Sequence, residues 1–140
     1  MNRFVKAVAD VLEADEIGLD AAFREIDGWC SLKAFGLLVM LENDWSAPTD
    51  IDKFMTLRTV RDLWREAFIA FAAGVLKVPR ATLSGASEYG SIPEWDSVNH
   101  LRLVMEAEAR FGVHYPLERI PEIRRVDDFL KTDAAVENMV

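Results

Sequence analysis

The sequence predicts an all-α protein built from two small bundles of three to four helices each. Apolar residues recur at helical spacing along most of the chain, and no segment shows the sustained period-two alternation that is typical of a half-buried strand. The second half of the chain also repeats the first, and such a repeat indicates two copies of one folding unit.

The repeat is one ungapped block, in which residues 26–64 align with residues 92–130 at a constant offset of 66. Upstream, the offset drops to 64, which pairs Val11 and Leu12 with Val75 and Leu76 and also pairs Leu19 with Leu83. A two-residue insertion in one loop would produce this change. The identical pairs in the block include Ile26/Ile92, Trp29/Trp95, Ser31/Ser97, Leu37/Leu103, Glu42/Glu108, Val60/Val126 and Asp62/Asp128.

The first copy predicts a helix over residues 4–12, a loop over residues 14–30 and a second helix from Ser31 to Trp45. This second helix is apolar on most faces, which predicts packing on several sides, and Pro48 closes it. Thr59, with Asp62 three residues later, is a good N-cap for the last helix of the copy.

The second copy repeats this order of segments. We expect a helix to about Val78, a loop rich in Gly and Pro, and a long helix from Ser97 to Phe111 that ends at Gly112. A connector containing Pro116 and Pro121 leads to a final short helix over Val126 to Lys131.

No linker separates the copies, because residues 59–76 contain no Pro and a single Gly. A stripe at Val60, Trp64, Phe68, Phe71 and Val75 predicts one continuous helix shared by both bundles. Sharing it would brace two bundles that are each small enough to be marginally stable. Two independent bundles with a break near Glu66 remain the alternative. The predicted domains are residues 1–65 and 66–140.

Composition narrows the function. A net charge of −8 disfavours nucleic acid and suits partners with basic surfaces. The single cysteine, Cys30, excludes an internal disulfide framework and fits a reducing cytoplasm. No secretory signal is visible, and the longest apolar run, residues 67–76, is about half of a membrane span.

Ser97 is the main candidate for a chemical role. Asp96 can cap the long helix, which would place the Ser97 hydroxyl in its first turn beside unpaired backbone N–H groups. A phosphodiester built on that hydroxyl would lie in the favourable field of the helix N-terminus. The alternative is that Asp-Ser is only a helix cap.

These segments resemble the acyl carrier protein family. The run Trp95-Asp96-Ser97-Val98 resembles its Asp-Ser-Leu attachment motif, especially the form with a preceding Trp found in polyketide and related pathways. Residues 59–63, Thr-Val-Arg-Asp-Leu, and residues 125–129, Arg-Val-Asp-Asp-Phe, resemble the closing helix of the family, Thr-Val-x-Asp-Leu. Residues 23–32 resemble the attachment segment, so the likeness covers nearly the whole chain, taken twice.

The resemblance implies two acyl-carrier-like bundles, the first with a divergent motif. Ser97, and by the same alignment Ser31, would be esterified with 4′-phosphopantetheine by a separate phosphopantetheinyl transferase. The thiol of this arm would hold acyl intermediates as thioesters for an acyl-loading enzyme, synthase or acyltransferase of fatty-acid, polyketide or related biosynthesis. The carrier would itself catalyse nothing.

The first copy departs from the family pattern, since Cys30 replaces the capping Asp and Lys33 and Gly36 replace polar or acidic positions. An unmodified carrier-like docking module is therefore the alternative function. In the second copy, Glu106 and Glu108 supply acidity, whereas Arg102 stands where the family often has an acid.

Two other functions have weaker support. His100 lies three residues after Ser97, which suggests a nucleophile and base, but the chain has no Gly-x-Ser-x-Gly turn for a hydrolase. Neither His100 nor His114 has Cys or His partners at metal-ligand spacing, so we expect no metal site.

Overall fold

The computed structural model describes residues 2–131 and the backbone of residues 136 and 137, and the protein is mostly helical. The helices are α1 Arg3–Leu12, α2 Ser31–Asp44, α3 Ile51–Phe54, α4 Val60–Leu76, α5 Ser97–Phe111 and α6 Val126–Phe129, with 3₁₀ segments at Phe23–Glu25, Arg80–Thr82 and Leu117–Glu122. Residues 60–76 form one helix without interruption, so the predicted continuous helix is confirmed, and the alternative of a break near Glu66 does not hold.

The chain divides into two compact units. Phe4–Ala67 form the first unit, and the chain from Phe68 onward forms the second, together with the residues that precede Phe4. The division falls inside α4, two residues after the predicted boundary between residues 65 and 66.

Both units contain the same backbone hydrogen bonds between the loop before the long helix and the start of the last helix. In every case the donor and the acceptor of the second unit lie 66 residues after their counterparts in the first. The bonds are Phe23 N to Arg58 O (3.3 Å) and Tyr89 N to Arg124 O (2.6 Å), Val60 N to Ala21 O and Val126 N to Ser87 O (both 3.1 Å), and Arg61 N to Leu19 O (2.8 Å) and Asp127 N to Gly85 O (2.9 Å).

A buried or half-buried carboxylate orients each of these helix starts. Asp62 Oδ2 accepts the backbone N–H groups of Arg58 (2.9 Å) and Thr59 (3.1 Å). Asp128 Oδ2 accepts those of Arg124 (3.0 Å) and Arg125 (2.9 Å). Burial raises the pKa of both carboxyls, but the backbone hydrogen bonds and a neighbouring cation outweigh it, so the pKa of each lies below its ordinary value.

The backbone corrects one part of the predicted alignment. Glu13 and Lys77, which follow α1 and α4, both take a left-handed conformation with φ of 57° and 58°, in agreement with the offset of 64. The Arg61 to Leu19 and Asp127 to Gly85 bonds, however, make Gly85 the counterpart of Leu19. The pairing of Leu19 with Leu83 is therefore wrong, because the two-residue insertion lies earlier in the loop.

Helix α2 also differs from the prediction. Leu37, Met40 and Leu41 are buried, whereas Leu32 and Phe35 are largely exposed. The expectation that this helix packs on several sides is wrong, since a helix can be apolar nearly all round and still have only one face against a core.

The end of α2 is set before Pro48. Ser46 takes a left-handed conformation with φ of 52°, as Gly112 does after α5 with φ of 68°. A left-handed residue stops a helix by turning the chain away from its axis.

One pair of strands was not predicted. β1 (Val113–His114) pairs antiparallel with β2 (Val136–Glu137). Strands of two residues are too short to show an alternating pattern in the sequence. The final helix also ends earlier than predicted, at Phe129 and not at Lys131.

Aromatic side chains fill the interior of each unit. In the first unit, Phe4 packs edge-on against Trp45 and Phe23 contacts Phe54, with ring centroids 5.2 and 5.7 Å apart. In the second unit, the ring of Phe68 lies 5.7 Å from Phe111 and 4.9 Å from Phe129, and the Tyr115 hydroxyl donates to the Phe129 carbonyl (2.9 Å).

The equivalent left-handed positions predict opposite effects of substitution. Gly112→Ala places a Cβ in a left-handed residue and should lower the free energy of unfolding by about 1 kcal/mol. Ser46→Gly removes the same penalty and should raise it by up to about 1 kcal/mol. Urea denaturation followed by circular dichroism measures both. Gly74→Ala inside α4 is the control for a Gly→Ala change without left-handed strain, and it should raise the free energy of unfolding by up to about 1 kcal/mol, since nothing lies within 4 Å of a Cβ there. Changes of the same sign at Gly112 and Ser46 would contradict this account.

Candidate functional site

Ser97 is the first residue of α5 and is exposed to solvent. Asp96 has extended backbone and accepts a hydrogen bond from the Asn99 N–H (2.9 Å), so the predicted N-cap is confirmed. The Asn99 side chain in turn donates to the Glu94 carbonyl (2.7 Å) and fixes the approach of the loop. The hydroxyl of Ser97 therefore lies on the surface at the N-terminus of a fifteen-residue helix.

Ser31 holds the same position in the first unit. It is the first residue of α2 and is exposed. Cys30 is the N-cap residue, with φ of −156° and ψ of 170°, and its side chain makes no capping hydrogen bond. The first helix therefore begins without a capping carboxylate, and the Lys33 N–H, the counterpart of the Asn99 N–H, donates to the Cys30 carbonyl instead (3.1 Å).

His100 is buried one helical turn after Ser97 and packs in the interior of the second unit. Its Nδ1 accepts a hydrogen bond from the indole N–H of Trp95 (3.1 Å), and the ring makes a second hydrogen bond with the backbone of Ile120. Burial lowers the pKa of His100, partly opposed by the Ile120 bond and aided by the positive charge of Arg124. Neutral His100, with both nitrogens engaged, anchors the loop and is not positioned as a base for Ser97.

A cavity of about 310 Å³ opens beside His100 in the second unit. Its walls are mostly apolar, and it lies on the side of α5 that faces the connector before α6. The lining residues are Tyr89, His100, Ile120, Pro121, Ile123 and Arg124. No sequence pattern predicts this cavity, because its walls come from three separate segments.

The corresponding region of the first unit is filled differently. The Arg24 guanidinium lies over the rings of Phe23 and Phe54, at 5.1 and 5.5 Å from their centroids, and donates to the Phe54 carbonyl (2.7 Å). At the positions 66 residues later, Gly90 replaces Arg24 and Ile120 replaces Phe54, while Ala34 replaces His100 in the first unit. The two units thus share a backbone arrangement but differ in how this interior space is used.

Each long helix displays an exposed apolar stripe that the sequence analysis missed. On α5 the stripe consists of Val98, Leu101 and Met105, and on α2 of Leu32, Phe35 and Val39. The two sets are separated by the offset of 66 and share the spacing i, i+3, i+7, which places three side chains on one helix face. This repeated spacing was the signal that could have identified the stripes.

The acidic residues of α5 are partly engaged within the protein. Glu108 accepts the Tyr115 N–H (2.9 Å) and lies 3.0 Å from His114, and Glu106 lies 3.6 Å from Arg102. Arg102 is exposed, as predicted. Glu108 therefore supports the turn after α5 and contributes less to an acidic surface than the sequence suggested.

Two further properties concern the part of the chain that the structure describes. None of its helices is long and apolar enough to cross a membrane. Within these same residues, no cluster of three or more His, Cys, Asp or Glu side chains could hold a metal ion.

Comparison with known proteins gives no family model, curated protein or solved structure that matches the chain.

Burial of His100 predicts a pH dependence of stability. The folded-state pKa lies below the ordinary 6.5, so the unfolded chain binds a proton more readily and stability falls as pH drops below about 6.5. Urea denaturation between about pH 7.5 and pH 5 should show this loss in the wild type, and His100→Gln should flatten it. An equal slope in the wild type and His100→Gln would refute this role.

Proposed function

We propose that this protein is a tandem acyl carrier, in which Ser97 and Ser31 each bear a 4′-phosphopantetheine arm that holds acyl intermediates as thioesters. The observation that carries the proposal is the repeated placement of an exposed serine. In both units it is the first residue of the long helix, behind a loop held by the same backbone hydrogen bonds. The family resemblance of the motifs supports the same function.

The local field favours the attachment. A helix N-terminus presents unpaired N–H groups and a partial positive charge, so it stabilises a phosphodiester anion on the first residue. In the transfer, the serine Oγ forms a bond to the pantetheine-side phosphorus of coenzyme A and the pyrophosphate bond breaks. Adenosine 3′,5′-bisphosphate leaves, and the hydroxyl proton passes to a base of the transferase.

The second unit has space for part of the cargo. The cavity beside His100 lies one helical turn from Ser97, within reach of a flexible arm. Its apolar walls suit an aliphatic chain, while His100 and Arg124 offer polar contacts to a substituted one. This supports a role in holding acyl groups during transfer between enzymes.

The exposed stripes on α2 and α5 supply docking faces for partner enzymes. Exposed apolar side chains beside the serines are costly for a protein without partners, and they mark interaction sites when they cluster. The net charge of −8 favours partners with basic surfaces around the apolar contact. The partners in this proposal are a phosphopantetheinyl transferase and an acyl-loading enzyme, synthase or acyltransferase, met in the cytoplasm where coenzyme A is available.

A second candidate applies to the first unit alone. Because Cys30 provides no cap and Arg24 fills the interior, this unit would serve as an unmodified docking module that recruits a partner through its stripe. Arm attachment at Ser31 separates the two possibilities.

Intact-mass spectrometry tests the proposal. Incubation of the wild type with coenzyme A and a broad-specificity transferase should add two increments of about 340 Da, the mass of a phosphodiester-linked pantetheine arm. Ser97→Ala and Ser31→Ala should each remove one increment, and the double variant should remove both. Ser46→Ala, at an exposed serine after α2, is the matched control and should keep two.

The outcomes are distinct. Loss of the only increment in Ser97→Ala would show that the first unit is the docking module. No increment on the folded wild type would contradict carrier function altogether.

A further inference from the structure

A surface groove of about 620 Å³ runs between α1 and α2 in the first unit. The exposed apolar stripe of α2, Leu32, Phe35 and Val39, forms one side of this groove. Val11 and Glu13, at the end of α1, form the opposite side. Cys30 and Leu32, which flank Ser31, both line it. The groove therefore begins beside Ser31, at its two neighbours, and follows the helix for about 10 Å, since α2 rises 1.5 Å per residue from Leu32 to Val39.

Two glycines shape this groove. A Cβ on Gly36 would come within 3.0 Å of Val11 Cγ1, so the absence of a side chain there lets α1 approach α2. Gly28 has φ of +83°, and a Cβ on it would come within 3.0 Å of Lys33 Nζ. The Lys33 ammonium thus lies over the Gly28 backbone at the serine end of the groove.

The second unit does not repeat these features. At the positions equivalent to Gly28, Lys33 and Gly36 it has Glu94, Asn99 and Arg102. The Asn99 side chain is hydrogen-bonded to the Glu94 carbonyl, and Arg102 pairs with Glu106. The cation and the two small residues are therefore specific to the first unit.

We infer that this groove binds the phosphopantetheine arm of its own Ser31, folded back along α2. The inference rests on the proposed function. The phosphodiester lies beside the Lys33 ammonium, and the arm beyond it contacts Leu32, Phe35 and Val39. Charge complementarity at one end and apolar walls along the rest match an arm whose only charge is at its attachment point.

A tether is what makes this site effective. An anionic ligand from solution would be opposed by the net charge of −8 and by Glu13 on the groove wall. A covalently attached arm is held at a millimolar-scale effective concentration, so weak contacts suffice to keep it in the groove. The first unit would then hold its arm in this groove, whereas the second unit has the cavity beside His100.

A fluorescent arm tests the inference. Ser97→Ala protein, with Ser31 as the acceptor, is loaded by the transferase with coenzyme A that carries a dansyl group on its thiol. In the groove, dansyl emission should shift to shorter wavelength and acrylamide quenching should fall about threefold relative to dansyl coenzyme A in solution, since tethering favours the bound state.

Substitutions then locate the binding site. Phe35→Glu, with complete loading of Ser31 verified by intact mass because Phe35 also lies on the docking face of α2, should return the emission and the quenching to the solution values, since it introduces charge into the groove wall. Ile51→Glu is the matched control, since Ile51 and Phe35 are both 63% exposed in the same unit but Ile51 lies outside the groove. Lys33→Gln should weaken protection in part, and Lys6→Gln, on the outer part of α1, should not.

The failures of the two proposals are distinguishable. A loaded Ser31 arm with solution-like emission, or equal effects of Phe35→Glu and Ile51→Glu, would overturn the groove assignment and leave carrier function intact. If Ser97→Ala protein gains no mass, Ser31 bears no arm. That result would contradict both the attachment at Ser31 and the binding of its arm in the groove.

Discussion

The placement of both serines depends on the backbone hydrogen bonds that tie each long loop to the start of the helix closing its unit. Asp62 and Asp128 organise these starts by accepting two N–H groups each. Ordering a loop of this length costs conformational entropy, and the repeated backbone hydrogen bonds offset part of that cost. Trp29 and Trp95 then follow at the same register, each N–H bonded to the carbonyl three residues earlier, and lead the chain into α2 and α5.

On this shared frame the two units have diverged in their interiors and on their surfaces. The second unit combines a capped helix, a buried neutral histidine and a solvent-open cavity beside that histidine. The first has a helix without a side-chain cap, an arginine that lies over two phenylalanines in contact with each other, and a surface groove. Under the proposed carrier function, the two units would offer their arms different surroundings, which would give a physical reason to have two units in one chain.

Much of the fold could be predicted from the sequence, because helix limits are set by local chemistry. Asp96, Gly112 and Thr59 act on neighbouring backbone, so α4 and α5 begin or end close to where those residues place them. The spacing of Leu32, Phe35 and Val39 marks one face of α2 in the sequence, but whether that face is buried or exposed depends on which elements pack nearby. His100 shows the same limit at the site, because proximity to Ser97 suggested catalysis, whereas the hydrogen bond to Ile120 comes from a distant segment.

The central claim is that a phosphodiester is attached to the exposed hydroxyl at the start of α5. Phosphorus NMR of the protein purified from the cell that makes it tests this directly, because the unmodified chain contains no phosphorus. The account predicts a phosphodiester resonance that is reduced when Ser97 is replaced by alanine and lost when Ser31 is replaced as well. A folded, fully concentrated sample without any protein-bound phosphorus resonance would contradict it.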